Sequence, residues 1–314
     1  MQRVLCVCLN PAVQRTMQFQ GLRPGQVNRA IKVETHVGGK GVNVARVLKQ
    51  LAVESVVLCF LGGKTGEIVK EKLQQQQIPL QYVEVGSPTR ICTTLLDVEN
   101  HIQTELVEEG TPVTKAEIEA IDRLFAKLLP QVNMVTISGT VPPGVPETLY
   151  AEWVTLAHKQ NVPTIVDAPG QLMLKCLTAH PLLLKPNWQE LERTLGESFS
   201  SPKDLKSVLQ NLITQHQDRT LGWVVSQGEK GVYVLTKDES YRFVPPSVPV
   251  KNPIGSGDAM AAGITAALLR GESMRQAIRY GVACGTANVL TPLVGQIEPE
   301  DVQTLYPQIQ EVPF

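Results

Sequence analysis

Short apolar runs alternate with longer amphipathic segments along most of the chain. The apolar runs have the length of buried strands and lie at residues 4–9, 55–61, 134–138, 164–167, 182–185, 223–226 and 231–235. The segments between them have helical spacing and lie at residues 41–51, 115–129, 146–159 and 202–216. This alternation predicts an α/β fold in which a central, mainly parallel sheet is covered by helices on both faces.

Two kinds of region depart from this alternation. The last third of the chain contains consecutive helical segments without strands between them, at residues 258–269, 274–290 and 299–305. Residues 12–35 and 80–108 instead alternate polar and apolar positions, which is typical of antiparallel strands with one polar face. We expect these two insertions to form a small sheet that covers a site as a lid. The alternative is that they are edge strands that extend the main sheet.

Charge and composition exclude several classes of protein. The 29 Lys and Arg residues balance 30 Asp and Glu residues, so the chain has no overall basic field for a phosphate backbone. Aromatic residues make up only 5% of the chain, which argues against stacking on single-stranded nucleic acid. No apolar run approaches the roughly 18 residues of a membrane helix, and the first run is too short for a signal peptide. We therefore expect a cytoplasmic protein without nucleic-acid or membrane partners.

Cysteine spacing gives no sign of a disulfide framework. The six cysteines form no C-x-x-C pair and lie mostly in apolar segments, at positions 6, 8, 59, 92, 176 and 284. We expect buried free thiols, as in a reducing compartment. A metal pair at Cys6 and Cys8 would need further ligands, and the five histidines show no pairing at helical spacing.

The common nucleotide-binding motifs are each incomplete. Residues 62–65 resemble the end of a P-loop, but Leu58 stands where its first glycine is required. The dinucleotide fingerprint fails twice, because Val44 and Met260 occupy the positions of its third glycine. A nucleotide site, if present, must use a different arrangement.

One glycine-rich segment, residues 252–263, leads directly into an apolar helix. Gly255, Ser256 and Gly257 carry almost no side chain, and the backbone N–H groups at such a helix start favour an anion. Asp258 follows them and has two interpretations. It could cap the helix, or it could act as a general base beside N–H groups that hold a developing phosphoryl charge.

Two further clusters strengthen the catalytic interpretation. Residues 37–45 form a second glycine-rich turn that opens a helix, with Lys40 and Asn43 available to hydroxyl or phosphate groups; the alternative is a tight βα turn. Residues 138–144 follow a predicted strand at the sheet edge where open α/β folds bind ligands. On the predicted lid, Arg90 could grip a phosphate with two donors, although an exposed arginine often has no such role.

These clusters, in this order and spacing, resemble those of the PfkB (ribokinase-like) sugar kinases over nearly the whole chain. The motifs at residues 10–12, 28–30, 38–43 and 138–144 are most similar to the phosphosugar branch, which includes 1-phosphofructokinase and tagatose-6-phosphate kinase. Ala52 departs from a usual glycine. The resemblance implies one ribokinase-like, three-layer α/β domain over residues 1–314, with a lid from 12–35 and 80–108, and a kinase that uses ATP and Mg²⁺.

The resemblance also assigns roles to individual residues. The catalytic base and its anion hole correspond to Asp258, Gly255, Ser256 and Gly257. The acceptor sugar and its phosphate correspond to Gln14, Arg29, Gly38, Gly39, Lys40, Asn43, Arg90 and Ser138. The nucleotide corresponds to Lys185, Asn187, Ser226, Gly228, Gly231 and Asn288, with Glu190 bound to Mg²⁺ through water.

Gln14 departs from the aspartate that the branch usually carries to hold sugar hydroxyls. A lost charge-assisted hydrogen bond is worth roughly 1.5–3 kcal/mol, enough to alter substrate choice. The resemblance implies a phosphosugar substrate, with fructose 1-phosphate attacked through its 6-hydroxyl in first place. The near alternative is tagatose 6-phosphate or fructose 6-phosphate, attacked at the 1-hydroxyl. Two further alternatives are an unphosphorylated substrate, such as a sugar or nucleoside, and a catalytically weak protein that senses phosphosugars. It also suggests a homodimer formed through the lid.

Overall fold

The computed structural model describes residues 2–216 and 222–314. Its strands are β1 (Arg3–Val7), β2 (Ala12–Phe19), β3 (Lys32–Gly38), β4 (Glu54–Leu61), β5 (Leu80–Glu84), β6 (Ile91–Asp97), β7 (Ile102–Val107), β8 (Met134–Ser138), β9 (Thr164–Asp167), β10 (Leu183–Leu184), β11 (Gly222–Ser226), β12 (Val232–Leu235), β13 (Ser240–Val244) and β14 (Gln310–Pro313). Its α-helices are α1 (Lys40–Gln50), α2 (Gly63–Gln75), α3 (Lys115–Leu128), α4 (Leu149–Lys159), α5 (Gly170–Cys176), α6 (Trp188–Leu195), α7 (Pro202–Gln215), α8 (Ser256–Leu269), α9 (Met274–Val289) and α10 (Pro299–Leu305). The predicted strands and helices are therefore confirmed, with small differences at their ends.

The described strands form a large sheet in the order β14-β13-β12-β11-β10-β9-β8-β1-β4-β5. It is parallel from β5 to β11 and antiparallel beyond. Alternate residues of β1 enter different cores, since Val4 and Cys6 pack on one face of the sheet and Leu5 and Val7 on the other. Burial on both faces explains the continuous apolar runs in the sequence, and the α/β prediction is confirmed.

A smaller, separate sheet has the order β3-β2-β6-β7. The pairs β2–β3 and β6–β7 are antiparallel, but β2 and β6 are parallel, so the expectation of a purely antiparallel sheet is wrong. Residues 80–84 were expected in this sheet and lie instead in β5, at the edge of the large sheet, parallel to β4. The intervening α2 supplies the crossover that a parallel pair needs. The edge position of β5 leaves several of its side chains partly exposed, which produces the alternating pattern.

Helix α8 packs closely against α9 at two glycines. A Cβ atom on Gly263 would lie 2.7 Å from Cys284 Sγ, and one on Gly281 would lie 2.5 Å from Ile264 Cγ1. The two helices can therefore approach more closely than larger residues would permit.

All six cysteines are buried and unpaired, as predicted. Within residues 2–216 and 222–314, no helix is both long and apolar enough to cross a membrane.

Candidate active site

A cavity of about 1640 Å³ lies between the carboxyl ends of the parallel strands and the small sheet. Pockets for one small ligand are usually about 300–1,000 Å³, so this cleft has room for two. Its wall includes most of the site residues proposed from sequence, namely Gln14, Gly38, Gly39, Lys40, Asn43, Arg90, Lys185, Asn187, Glu190, Ser226, Gly228, Gly255, Ser256, Gly257 and Asp258. Segments far apart in the chain thus meet in one cleft.

Asp258 lies in the first turn of α8 and is not its cap. The N-cap is Gly255, whose φ of 84° is left-handed and whose position lacks a side-chain cap. The Asp258 side chain is 5% exposed, and its Oδ2 accepts a hydrogen bond of 2.7 Å from Asn43 Nδ2. The capping interpretation of Asp258 is therefore wrong. Among the described residues, the Ser256 N–H donates weakly to the Pro253 carbonyl at 3.4 Å, whereas the N–H groups of Gly255 and Gly257 have no backbone partner and are available to a ligand.

Burial raises the pKa of Asp258 to about 6, and the neighbouring Asp167 carboxylate adds to this rise. The charges of Lys40 and Lys185 and the hydrogen bond from Asn43 act in the opposite direction. A carboxylate of this kind is ionised at neutral pH yet more basic than an exposed aspartate. Such a balance suits a general base, whose pKa works best near the operating pH.

Asp167, at the end of β9, joins two lysines and was not predicted from the sequence. Its Oδ1 lies 2.8 Å from Lys40 Nζ and its Oδ2 lies 2.7 Å from Lys185 Nζ. Burial opposes ionisation of Asp167, but the two ammonium groups outweigh it and lower the pKa of this carboxyl. The sequence signal that could have identified Asp167 as a site residue was its place at the carboxyl end of a predicted parallel strand, where α/β folds bind ligands.

Asn187 and Glu190 form a capping box at the start of α6. Asn187 Oδ1 accepts from the Glu190 N–H at 2.8 Å, and Glu190 Oε2 accepts from the Asn187 N–H at 2.9 Å. Glu190 Oε1 is 3.0 Å from Lys40 Nζ. The motif that resembles a magnesium site therefore has a structural role of its own, which the sequence analysis did not identify.

A fully protein-bound metal does not fit this cleft. Across the described part of the chain, no group of three or more His, Cys, Asp or Glu side chains could hold a metal ion. Glu190 and Asp167 are the nearest carboxylates to Lys40, and both are paired with it. This arrangement fits Mg²⁺ carried largely by phosphate oxygens and water, with one or two carboxylates nearby.

The glycine turn before α1 is closely packed against β1. Gly39 has a φ of 123°, and a Cβ atom there would lie 2.6 Å from Cys8 Sγ. A Cβ on Gly41 would lie 2.4 Å from the Val7 carbonyl oxygen. Among the described residues no side chain caps α1, so a second helix start is open toward the cleft. The tight-turn interpretation is thus correct for the backbone, and Lys40 and Asn43 still reach the site.

Two acceptor-side residues lie in the cleft wall but already have partners. Gln14 Nε2 donates to Thr94 Oγ1 at 2.8 Å. Arg90 donates to the backbone carbonyls of Asn10 at 2.9 Å and Glu108 at 3.1 Å, and its buried Nε has no partner in the described part of the chain. Arg90 would have to exchange these carbonyls for a phosphate in order to bind one.

Four predicted site residues lie outside the cavity lining. Arg29 is exposed, whereas Ser138 is buried in β8. At Gly231 a Cβ would lie 2.2 Å from the Phe243 carbonyl oxygen, so this glycine permits a close backbone contact. Asn288 is buried in α9 and donates to the Ile254 carbonyl at 2.9 Å, which supports the turn before α8 from behind.

The family model for pfkB family carbohydrate kinases matches residues 5–301 of this chain. The chain belongs to this family, whose members are sugar kinases that transfer a phosphate group.

Solved structures agree with this assignment. A Thermotoga maritima protein described as a possible 1-phosphofructokinase is 26% identical, covers 100% of both chains and has a TM-score of 0.89. Phosphofructokinase-2 from Escherichia coli, in complex with fructose-6-phosphate, is 25% identical, covers 98% of this chain and 99% of its own, and has a TM-score of 0.87. Ribokinase from Thermotoga maritima, 17% identical with a TM-score of 0.75 over 98% of this chain and 99% of its own, shows the ribokinase-like fold. The protein is a phosphofructokinase-like sugar kinase.

Proposed function

We propose that the protein phosphorylates a ketohexose phosphate with ATP, and that its leading substrate is fructose 1-phosphate, which yields fructose 1,6-bisphosphate. The observation that carries this proposal is a buried carboxylate, Asp258, beside an open helix start and two ammonium groups, Lys40 and Lys185. The similarity to a protein described as a possible 1-phosphofructokinase supports the choice of substrate.

In this proposal Asp258 accepts the proton of the acceptor hydroxyl. The hydroxyl oxygen forms its bond to phosphorus as the bond from phosphorus to the ADP oxygen breaks. The N–H groups of Gly255, Ser256 and Gly257 and the ammonium of Lys40 stabilise charge on the transferring group. The small sheet excludes water from the cleft as a lid.

ATP supplies the phosphoryl group, and Mg²⁺ neutralises its phosphate charge. We assign the nucleotide to the side of the cleft lined by Lys185, Asn187, Ser226 and Gly228. In this proposal Glu190 would contact Mg²⁺ through water, and Lys40, which now pairs with Glu190, would turn toward phosphate. Gly231 and Asn288 act indirectly, by shaping the turns on this side.

A second substrate, fructose 6-phosphate or tagatose 6-phosphate attacked at the 1-hydroxyl, is the near alternative. It is favoured by the similarity to a phosphofructokinase-2 bound to fructose-6-phosphate. The acceptor contacts would be Gln14, Gly38, Gly39, Asn43 and Arg90. Arg29 and Ser138 lie outside the cavity lining, so we consider them weaker candidates for contact with the acceptor.

An ATP-turnover screen tests the proposal. Fructose 1-phosphate, fructose 6-phosphate, tagatose 6-phosphate and unphosphorylated sugars are compared at equal concentration, and fructose 1-phosphate is expected to give the highest kcat/KM. Asp258→Asn should lower kcat by about 10²–10⁴-fold and leave ATP binding intact. Asp204→Asn, at the matching first-turn position of α7, is the control. No turnover on any sugar would support the phosphosugar sensor instead.

A further inference from the structure

Arg46, on α1, is a half-buried hub between the base and the small sheet. Its Nη1 donates to Asn43 Oδ1 at 2.9 Å and to the Val294 carbonyl at 3.1 Å. Its Nη2 donates to the carbonyl of Val37, in β3, at 3.0 Å, and its Nε donates to Gln76 Oε1 at 3.2 Å. The guanidinium is thereby held by four segments that meet at the wall of the cleft.

The contact with Arg46 determines which way the Asn43 amide faces. A guanidinium only donates, so the amide atom against it must be the oxygen. The Asn43 nitrogen must then face Asp258, where it donates to Oδ2 at 2.7 Å. A flipped amide would oppose its nitrogen to the guanidinium and its oxygen to the carboxylate, and both contacts would be lost.

We propose that Arg46 is a positioning residue for phosphoryl transfer, which acts by locking the Asn43 amide in the orientation that donates to Asp258. The inference rests on the proposed function, in which Asp258 is the base. With Oδ2 held by Asn43, the carboxylate keeps one orientation and presents Oδ1 to the acceptor hydroxyl. Arg46 itself touches neither substrate in this arrangement.

The charge of Arg46 must be separated from its geometry, because other charged and titratable groups also face Asp258. They are Asp167 at the end of β9, Lys40 on the same helix as Arg46, Lys185 after β10, and the Cys8 thiol after β1. Arg46→Lys keeps the positive charge but loses the planar fork that holds Asn43. Arg46→Met loses both.

The test compares Arg46→Lys, Arg46→Met and a control, Lys49→Met, which removes an exposed cation one turn along α1. We expect both Arg46 variants to move the acid limb of the kcat–pH profile up by about one pH unit. We also expect kcat at its plateau to fall by about tenfold or more, through loss of alignment. Lys49→Met should match the unsubstituted enzyme. If Arg46→Lys also matches the unsubstituted enzyme, the orientation of the Asn43 amide does not affect catalysis and the proposal is overturned.

A double-mutant cycle separates positioning from a general structural effect. If Arg46 acts through Asn43, Arg46→Lys should cause no further shift of the acid limb in an Asn43→Ala background. Additive shifts would overturn the proposal. Thermal unfolding of each variant shows that it is folded, and Arg46→Lys carries the test if Arg46→Met does not fold.

A titration without substrate keeps this inference distinct from the proposed function. The ¹³C carboxyl signal of Asp258, identified by its loss in Asp258→Asn, is followed against pH in the ligand-free protein. A higher midpoint in Arg46→Lys supports the orienting contact even if no sugar in the screen is phosphorylated. An unchanged midpoint overturns the inference even if fructose 1-phosphate is a good substrate.

Discussion

Asp258 is subject to opposed electrostatic influences from its surroundings. Burial and the Asp167 carboxylate favour its protonated form, whereas Lys40, Lys185 and Asn43 favour its ionised form. The result is a pKa of about 6, so the proposed base changes its ionisation at a pH where enzyme assays can follow it.

The first prediction concerns this ionisation and activity. We expect kcat/KM to decline with a slope of one as the pH falls through about 6, because protonated Asp258 cannot accept the hydroxyl proton. Initial rates between pH 5 and 8, with substrates well below their KM, measure the midpoint for the free enzyme. A profile without an acid limb above pH 5 would remove Asp258 as the titrating base.

The second prediction concerns Asp258 and stability. Its pKa is raised from an ordinary value of 3.8 to about 6, so the folded state binds more protons than the unfolded state between these values. Stability should therefore fall as the pH rises through this window, by about 3 kcal/mol for this group. Asp258→Asn removes the penalty and should be more stable than the natural protein at pH 8, with the difference vanishing below about pH 4. Urea unfolding at both pH values measures this, and a less stable variant at pH 8 would contradict it.

The third prediction concerns the acceptor side. Thr94 accepts from Gln14 Nε2, so the Gln14 oxygen is left as the acceptor for a sugar hydroxyl. Thr94→Val should raise the KM for the phosphosugar several-fold with little change in kcat, because the amide is free to turn. Thr93→Val, on the other face of β6, is the matched control.

A substitution at Gln14 itself tests substrate specificity directly. Gln14→Asp restores a charged acceptor and should change the order of preference across the sugar panel. Unchanged preference, together with an unchanged KM in Thr94→Val, would show that position 14 does not contact hydroxyls.

At the scale of elements, the parallel strands were predictable and the edges were not. Strands β8 and β9 are buried on both faces, and burial gives them continuous apolar runs of the right length. Strand β5 is half-exposed, so its alternating pattern did not distinguish an edge of the large sheet from the small sheet.

The candidate site was predictable where glycines mark the start of a helix, as at α1 and α8. Asp167 and Arg46 were missed because single charged residues carry no spacing signal. Asp167 lies 127 positions from Lys40, and only the tertiary fold brings the end of β9 to the start of α1. Such long-range ion pairs have no counterpart in local sequence pattern.

The fourth prediction concerns the start of α6, where a cap and a proposed magnesium contact share two residues. Glu190→Gln can keep one acceptor oxygen for the capping box, but its amide nitrogen then faces Lys40 Nζ and that contact is lost, so the free energy of unfolding should fall by about 1 kcal/mol. The concentration of Mg²⁺ needed for half-maximal rate should rise. Asn187→Ala removes the cap and should cost about 1 kcal/mol. Urea unfolding and Mg²⁺ titration measure the two effects, and an unchanged Mg²⁺ requirement in Glu190→Gln would limit Glu190 to capping.

At the scale of the whole molecule, a net charge of −1 is compatible with two anionic substrates. The positive potential of the cleft comes from local sources, namely the starts of α1 and α8 and the ammonium groups of Lys40 and Lys185. Because Lys185 is buried and Lys40 is about two-thirds covered, their charges act at short range in a surrounding of lower polarity than water. An enzyme of this kind needs no basic surface to hold phosphate.

The small sheet has a second face, which points away from the cleft. Gln14, Thr16 and Thr94 line the cleft, and because successive side chains of a strand alternate, Met17, Val33, Leu95 and Leu106 lie on the other side. On that side Val33 is 48% exposed and Leu106 is 53% exposed. Exposed apolar side chains grouped on one sheet face are typical of an interaction surface. We propose that two copies of this chain associate through it as a homodimer.

The fifth prediction follows from this face. Val33→Asp combined with Leu106→Asp places charges in the proposed interface. In a symmetric dimer both copies contribute these charges, so four unpaired carboxylates would be buried. We therefore expect a particle with the mass of two chains to become one with the mass of a single chain. Sedimentation equilibrium measures the mass. Val250→Asp, an exposed apolar residue outside the small sheet, is the control and should leave the dimer intact. A natural protein that sediments with the mass of one chain would contradict the homodimer, and a dimer that survives the double substitution would place the interface elsewhere.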